Sequence, residues 1–85
     1  MRDSCLDCTR KHLAQAIVLM VEAKMGYPEH KWLAIGHMAE AEAEILERDE
    51  PTARYIRGLR KQYEAGEDVK LLEVIRTVSE LDTNA

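Results

Sequence analysis

The chain has no phenylalanine, and its aromatic residues are limited to one tryptophan and three tyrosines among 85 residues. A chain of this length forms one domain at most and buries too little surface for a large core. With so few large apolar side chains, we expect a further stabilising element: a bound metal, a ligand or a partner chain.

Long apolar runs are also missing from the sequence. No uninterrupted apolar segment approaches the roughly 18 residues of a membrane span, and residues 1–5 do not lead into the apolar region of a signal peptide. Twelve basic against sixteen acidic residues give a net charge of −4, which disfavours binding to duplex nucleic acid or to an anionic membrane. We therefore expect one soluble, cytoplasmic domain.

Helix signals account for the whole chain, and no segment predicts a β-strand. A cap at Ser4 starts the first helix, and the Gly-Tyr-Pro sequence at residues 26–28 ends it. The second helix is predicted from about residue 28 to residue 48. A second cap-then-proline signal starts the third helix, at residues 51–65, and the fourth follows residue 68. The prediction is a small all-α domain of four helices, built on an antiparallel hairpin of the first two.

The second helix is apolar on two separate sides when its residues are placed at intervals of about 100°. One side consists of Ala34, Met38, Ala41 and Ile45, and the other consists of Trp32, Ile35, Ala39 and Leu46. Such a helix is either central in its domain or shared with another subunit. Four helices do not easily cover both sides, so we predict a homo-oligomer that associates through the Trp32 side. The alternative is a central helix whose Trp32 is half-covered by the fourth helix.

The sharpest chemical pattern is Cys5, Cys8 and His12, which fall within an arc of about 60° on a helix. Thiolate and imidazole are zinc ligands, and a helix start favours the thiolate form. In the hairpin, Glu40 or Glu44 lies at a suitable level to complete the set. We therefore predict a zinc site at Cys5, Cys8, His12 and Glu44. Two alternatives remain open, a pair of small buried thiols and a redox-active dithiol.

The hairpin geometry argues against His37 as a member of this zinc site. With the turn at residues 26–28, facing residues have numbers that sum to about 54, and His37 then lies level with Ile17. That level is about 13 Å along the helix axis from Cys8. His37 would bind the same metal only with a different packing or through a second subunit.

A wider polar seam is predicted between the first two helices. His30, His37, Glu40 and Glu44 line one side of the second helix, and Glu22 lies on the cysteine side of the first. Buried ionisable groups persist only when they are paired, hydrogen-bonded or bound to a metal, and the layout is similar to that of metal-carboxylate bundles. The alternative is a solvated acidic face, because residues 40–50 are rich in glutamate.

The third helix carries a basic patch in an otherwise acidic chain. Its members are Arg54, Tyr55, Arg57, Arg60, Lys61 and Tyr63. Guanidinium groups bind phosphate through two hydrogen bonds, and tyrosine stacks on bases, so the patch predicts a small anionic, nucleotide-like ligand. The expected contact residues are Arg54, Tyr55, Arg57 and Lys61. The alternative is charge pairing with the acidic end of the second helix.

The first half of the chain resembles small helical proteins found among bacteriophage and bacterial hypothetical proteins. The resemblance is carried by residues 5–14 (CLDCTRKHLA), 26–30 (GYPEH) and 34–42 (AIGHMAEAE). It implies a phage accessory protein in the host cytoplasm, where such proteins block a host factor or sequester a signalling nucleotide. The resemblance assigns no catalytic residue.

Two functions of different classes follow from these patterns. The first is a non-catalytic binding protein, an oligomer that holds a small phosphorylated ligand or a host protein. The sequence supports it by lacking a phosphate-cradling Gly-rich loop, a Ser-His-Asp set and a His-Glu-x-x-His run. The alternative is a small metal-dependent enzyme, with Glu40 or Glu44 as the general base on a metal-bound water. The net charge disfavours a DNA-binding regulator that would use the third helix for recognition.

Overall fold

All four predicted helices are present in a computed structural model, which describes residues 6–83 of the chain. Helix α1 spans Leu6–Lys24, α2 spans His30–Ile45, α3 spans Glu50–Glu64 and α4 spans Leu71–Thr83. Within this described range there is no strand. The chain is therefore a small all-α domain, as the sequence predicted. The predicted cap at Ser4 lies outside the described residues.

Two glycines end the first and third helices. Gly26 has a φ of 125° and Gly66 has a φ of 82°. Residues with a Cβ atom rarely adopt this backbone region. After Gly26 the amide of Tyr27 donates a hydrogen bond to the carbonyl of Glu22 at 3.1 Å, so a carbonyl of the last turn of α1 is satisfied. The turn at Gly26 reverses the chain and makes α1 and α2 an antiparallel hairpin.

The start of α3 is fixed by a side-chain cap. The Asp49 carboxylate accepts a hydrogen bond from the Thr52 amide at 3.1 Å and another from the Thr52 hydroxyl at 2.6 Å. Pro51 occupies the first turn, where a missing amide hydrogen costs nothing. Helix α2 ends at Ile45, three residues earlier than predicted. In the turn that follows, the amides of Arg48 and Asp49 both donate to the Ile45 carbonyl, which satisfies that carbonyl at the helix end.

The helices pack in the spatial order α4, α1, α2, α3. Helix α1 contacts α2 and α4, and α2 contacts α3. Each helix contributes apolar side chains to one core. Its buried members are Leu13, Ala16, Met20, Ala34, Met38, Ala41, Ile45, Ala53, Ile56, Leu59, Val74 and Leu81. In the described part of the chain, no helix combines the length and the apolar character of a membrane span.

The two apolar sides of α2 have different environments. Ala34, Met38 and their neighbours on the first side are fully buried. On the second side Trp32 is 67% exposed and Leu46 is 42% exposed. In the described range α4 packs on α1 and makes no backbone contact with α2, so it does not half-cover Trp32. The second side of α2 is therefore an exposed face.

Candidate metal site

Polar side chains from α1 and α2 meet in a group that we call the histidine cluster: His12, His37, Glu40 and Glu44. Helix α1 supplies His12, and α2 supplies the other three at steps of three and four residues, which places them on one helix face. His12 Nδ1 lies 3.1 Å from His37 Nδ1. His12 Nε2 lies 3.1 Å from Glu40 Oε2 and 3.4 Å from Glu44 Oε1. One imidazole thus contacts both carboxylates and the second imidazole.

The members of the cluster differ in exposure. The side chain of Glu44 is 6% exposed, that of His12 is 23% exposed and that of Glu40 is 61% exposed. Packing therefore holds Glu44 and His12 in place, whereas Glu40 can change rotamer at the surface. The cluster has a fixed inner part and an adjustable outer carboxylate.

The hydrogen-bond partners favour one tautomer of His12. An ionised carboxylate only accepts hydrogen bonds, so the ring nitrogen that faces Glu40 and Glu44 carries the proton. In a neutral His12, Nε2–H donates to the carboxylates and Nδ1 offers its lone pair toward His37. A carboxylate behind a histidine ring is the usual arrangement around protein metals, because it orients the ring and raises its basicity.

The hairpin register predicts that His37 lies too far from Cys8 to join the zinc site, and it does not predict the contact between His37 and His12 that the structure has. Glu22 contacts His30 and His12 contacts Glu40, and in both pairs the residue numbers sum to 52. In that register His37 is only about 4.5 Å along the axis from His12, a distance that two imidazole rings bridge. The prediction compared His37 with Cys8 instead of His12, and it ignored the length of the side chains.

Of the two cysteines in the predicted zinc site, the structure describes only Cys8, and it is not a thiolate. Cys5 lies outside the described residues, and Cys8 is partly buried and disulfide-bonded. A disulfide sulfur is not the thiolate that zinc binds. Zinc at Cys5, Cys8, His12 and Glu44 therefore stays a prediction, of which the structure brings His12 and Glu44 together.

The other half of the predicted polar seam forms a separate pair. His30 Nδ1 lies 2.9 Å from Glu22 Oε1, which joins the start of α2 to the end of α1. The ring of Tyr27 stacks on His30, with ring centroids 5.3 Å apart. His30 is thus already engaged by a carboxylate and an aromatic ring, and it serves as a natural comparison for His37.

The basic patch of α3 is largely paired with carboxylates, as the alternative interpretation expected. Arg57 Nε donates to Glu42 Oε2 at 2.8 Å, and Arg60 donates to the other oxygen of Glu42 at 3.3 Å. The Glu42 side chain is 11% exposed. Arg54 is paired with Glu50. The sequence showed Glu42 only as one member of an acidic run, although the spacing of Arg57 and Arg60 was a signal for a shared partner.

Of the four residues predicted to bind a nucleotide-like ligand, two line a groove from which the other two are absent. Arg54 and Tyr55 border a groove of about 490 Å³ between α3 and α4, together with Gly58, Leu59, Gln62, Asp68, Lys70 and Glu73. Arg57 and Lys61 are absent from the groove lining, and Arg57 is engaged by Glu42. A nucleotide-like ligand therefore stays a prediction.

Comparisons with protein-family models, curated proteins and solved structures gave no match to this chain. The functional interpretation therefore depends on the chemistry of the described side chains.

Proposed function

We propose that the chain is a non-catalytic metal-binding protein that holds a divalent transition metal between α1 and α2. The ligands are His12, His37 and Glu40, and zinc is the first choice of metal. The observation that carries the proposal is that one ligand atom from each of these residues lies within 4.8 Å of the other two. Two imidazoles and one carboxylate form a ligand set that zinc and ferrous iron use in proteins.

The spacing of the two imidazoles supports this proposal. Two nitrogens bound to one zinc at about 2.0–2.1 Å in a tetrahedron are roughly 3.3 Å apart. The Nδ1 atoms of His12 and His37 are 3.1 Å apart, so both reach a common ion after small movements of the rings. Glu40 is exposed enough to rotate onto the ion, and Glu44 keeps its place behind His12.

A metal at this position also supplies the stabilising element that the small core lacks. The core contains alanines at positions 16, 34, 41 and 53, which bury little surface. An ion held by one ligand from α1 and two from α2 joins the helices of the hairpin. Because the ligands do not form a site in the unfolded chain, the binding free energy is added to the folding free energy.

The surroundings of the cluster favour binding over catalysis. The nearest groove is lined by Ala14, Gln15, Val18, Leu19 and His37 and measures about 410 Å³. Val18 is 56% exposed, so the groove is open to solvent and encloses little of a bound molecule. Catalytic pockets usually bury most of the surface of their ligand. We therefore place the ion in a binding role.

The test is a calorimetric titration of chelator-treated protein with zinc. We expect one zinc ion per chain, a higher melting temperature with zinc, and an affinity at least tenfold lower in His37→Gln. The matched control is His30→Gln, a histidine of the same helix that also contacts a carboxylate. This control should bind zinc as the wild type does.

A third variant separates this site from the predicted cysteine site. Cys8→Ser keeps His12, His37 and Glu40, so it should retain zinc. If Cys8→Ser loses zinc while His37→Gln retains it, the cysteine set is the metal site and the proposal is wrong. If the wild-type protein binds no zinc, cobalt or ferrous iron, the proposal is also wrong.

A further inference from the structure

One face of α2 is covered by no other helix of the described chain. Its residues follow steps of four, three, four and three, the spacing of a heptad seam. We call this face the outer seam: Trp32, Gly36, Ala39, Ala43 and Leu46. The seam is exposed along its length, and it carries a tryptophan at one end and a leucine at the other. Ile35, expected on this side of α2, is partly buried and does not lie on the seam.

The glycine in the seam has no explanation within one copy of the chain. A Cβ atom added at Gly36 would meet nothing within 4 Å, and the residue does not have a positive φ. Glycine in a helix interior is destabilising relative to alanine, and one use that offsets this cost is the close approach of another backbone. Together with Ala39 and Ala43, Gly36 leaves the middle of the seam low enough for a second helix to pack against it.

The two edges of the seam carry opposite charge. Glu40 lies on the edge toward α1, where it contacts His12, and its side chain is 61% exposed. On the other edge stands α3, where Arg57 pairs with Glu42. Lys61 lies four residues further on the same face of α3 and is exposed. The hydrogen bond from Arg57 to Glu42 places Arg57 level with the middle of α2, close to the level of Glu40.

This charge pattern indicates what covers the seam. When two copies are related by a two-fold axis parallel to α2, the acidic edge of each copy faces the basic α3 edge of the other at the same level. With α2 helices antiparallel, the two α3 edges would face each other and their like charges would repel. The seam is thus self-complementary in the parallel arrangement, as a two-fold interface requires.

We propose that a second copy of this chain covers the outer seam, in a parallel two-fold dimer in which each α2 packs on its counterpart. Trp32 and Leu46 pack against the other copy at the two ends of the interface, on either side of the small residues. Glu40 of each copy lies beside Lys61 of the other. The dimer goes beyond the metal-binding function. Of the proposed metal ligands it uses only Glu40, which meets the other copy when no metal is bound.

The first test substitutes Gly36→Gln and measures the association state by analytical ultracentrifugation. The wild type should be a dimer, and Gly36→Gln should weaken association at least tenfold while the chain stays helical. The matched control is Gly58→Gln, because an added Cβ at Gly58 also meets nothing within 4 Å but lies on α3, at the groove toward α4. Gly58→Gln should remain dimeric.

The only tryptophan of the chain reports the contact directly. Emission of Trp32 should shift to shorter wavelength as the concentration of wild type or Gly58→Gln increases, because the exposed ring becomes buried. Gly36→Gln should show no such shift. A wild-type chain that sediments as a monomer into the millimolar range, with an unchanged emission spectrum, would overturn the proposal.

The orientation is tested by charge reversal in chelator-treated protein. Lys61→Glu should weaken the dimer, and adding Glu40→Lys to the same chain should restore it, because the two positions face each other across the parallel interface. If the double variant is as weak as Lys61→Glu, the parallel arrangement is wrong.

Discussion

Removing the Glu42 carboxylate should destabilise the contact between α2 and α3 more than any other change to an ion pair on α3. Glu42 accepts hydrogen bonds from Arg57 at 2.8 Å and from Arg60 at 3.3 Å. Its side chain is only 11% exposed. In Glu42→Ala both guanidinium groups lose this partner, and Arg60 Nε is already buried without a hydrogen-bond partner in the described structure.

The magnitude follows from the exposure of the three side chains. Removing one partner of a fully buried ion pair costs about 3–5 kcal/mol. Arg57 is 49% exposed and Arg60 is 25% exposed, so water compensates for part of the lost hydrogen bonding. We therefore expect Glu42→Ala to lower the free energy of unfolding by about 2 kcal/mol. For a domain of this size the melting temperature should fall by roughly 8–16 °C.

The assay is urea unfolding and thermal melting of Glu42→Ala beside Glu50→Ala. Glu50 also pairs with an arginine, but its side chain is 59% exposed and that of Arg54 is 73% exposed. Such a surface pair contributes about 0–1 kcal/mol, so Glu50→Ala should change stability little. Equal effects of the two substitutions would refute the reasoning that burial makes Glu42 important.

Three further substitutions test the fold. Asp49→Ala removes the hydrogen bonds from Thr52 and should lower the free energy of unfolding by about 1 kcal/mol in urea. The same hydrogen bonds, from the Thr52 hydroxyl above all, lower the pKa of Asp49 from its ordinary value of 3.8. The stability that Asp49 contributes is therefore fully present above the ordinary pKa and is lost as the pH falls through the lowered pKa. A difference in unfolding free energy between wild type and Asp49→Ala that grows in acid would contradict this. Gly26→Ala places a side chain at a φ of 125° and should cost about 1–3 kcal/mol in thermal melts, whereas an unchanged melt would mean that the turn relaxes. Met38→Ala opens a cavity at a position with 0% exposure and should cost about 2–5 kcal/mol, and a loss below this range would mean that the core collapses around it.

The helices were predictable because their ends depend on local chemistry. Gly26, Pro51 and Gly66 mark turns through backbone preferences that do not depend on the rest of the chain. The end of α2 was predicted less well. Arg48 is a good helix former, yet it lies in the turn between α2 and α3, where its amide donates to the Ile45 carbonyl at 3.0 Å. Helix α3 then packs on α2. Helix propensity contains no information about that packing.

The site was predictable only in part, because it depends on contacts between helices. The approach of Glu44 to His12 followed from the hairpin register, and the structure has this contact at 3.4 Å. The position of His37 did not follow, since a small shift in register and the reach of two rings decide whether it meets His12. The pairing of Arg57 with Glu42 likewise required the packing of α3, which a single sequence does not show.

The most direct measurement of the central claim is a long-range proton–nitrogen correlation spectrum of the three histidine rings, recorded with and without zinc. The chain has only three histidines, so each ring can be resolved. We predict that zinc changes the Nδ1 resonances of His12 and His37, that His12 keeps its Nε2 proton beside Glu44, and that His30 is unchanged. Rings of His12 and His37 that do not respond to zinc would contradict the account.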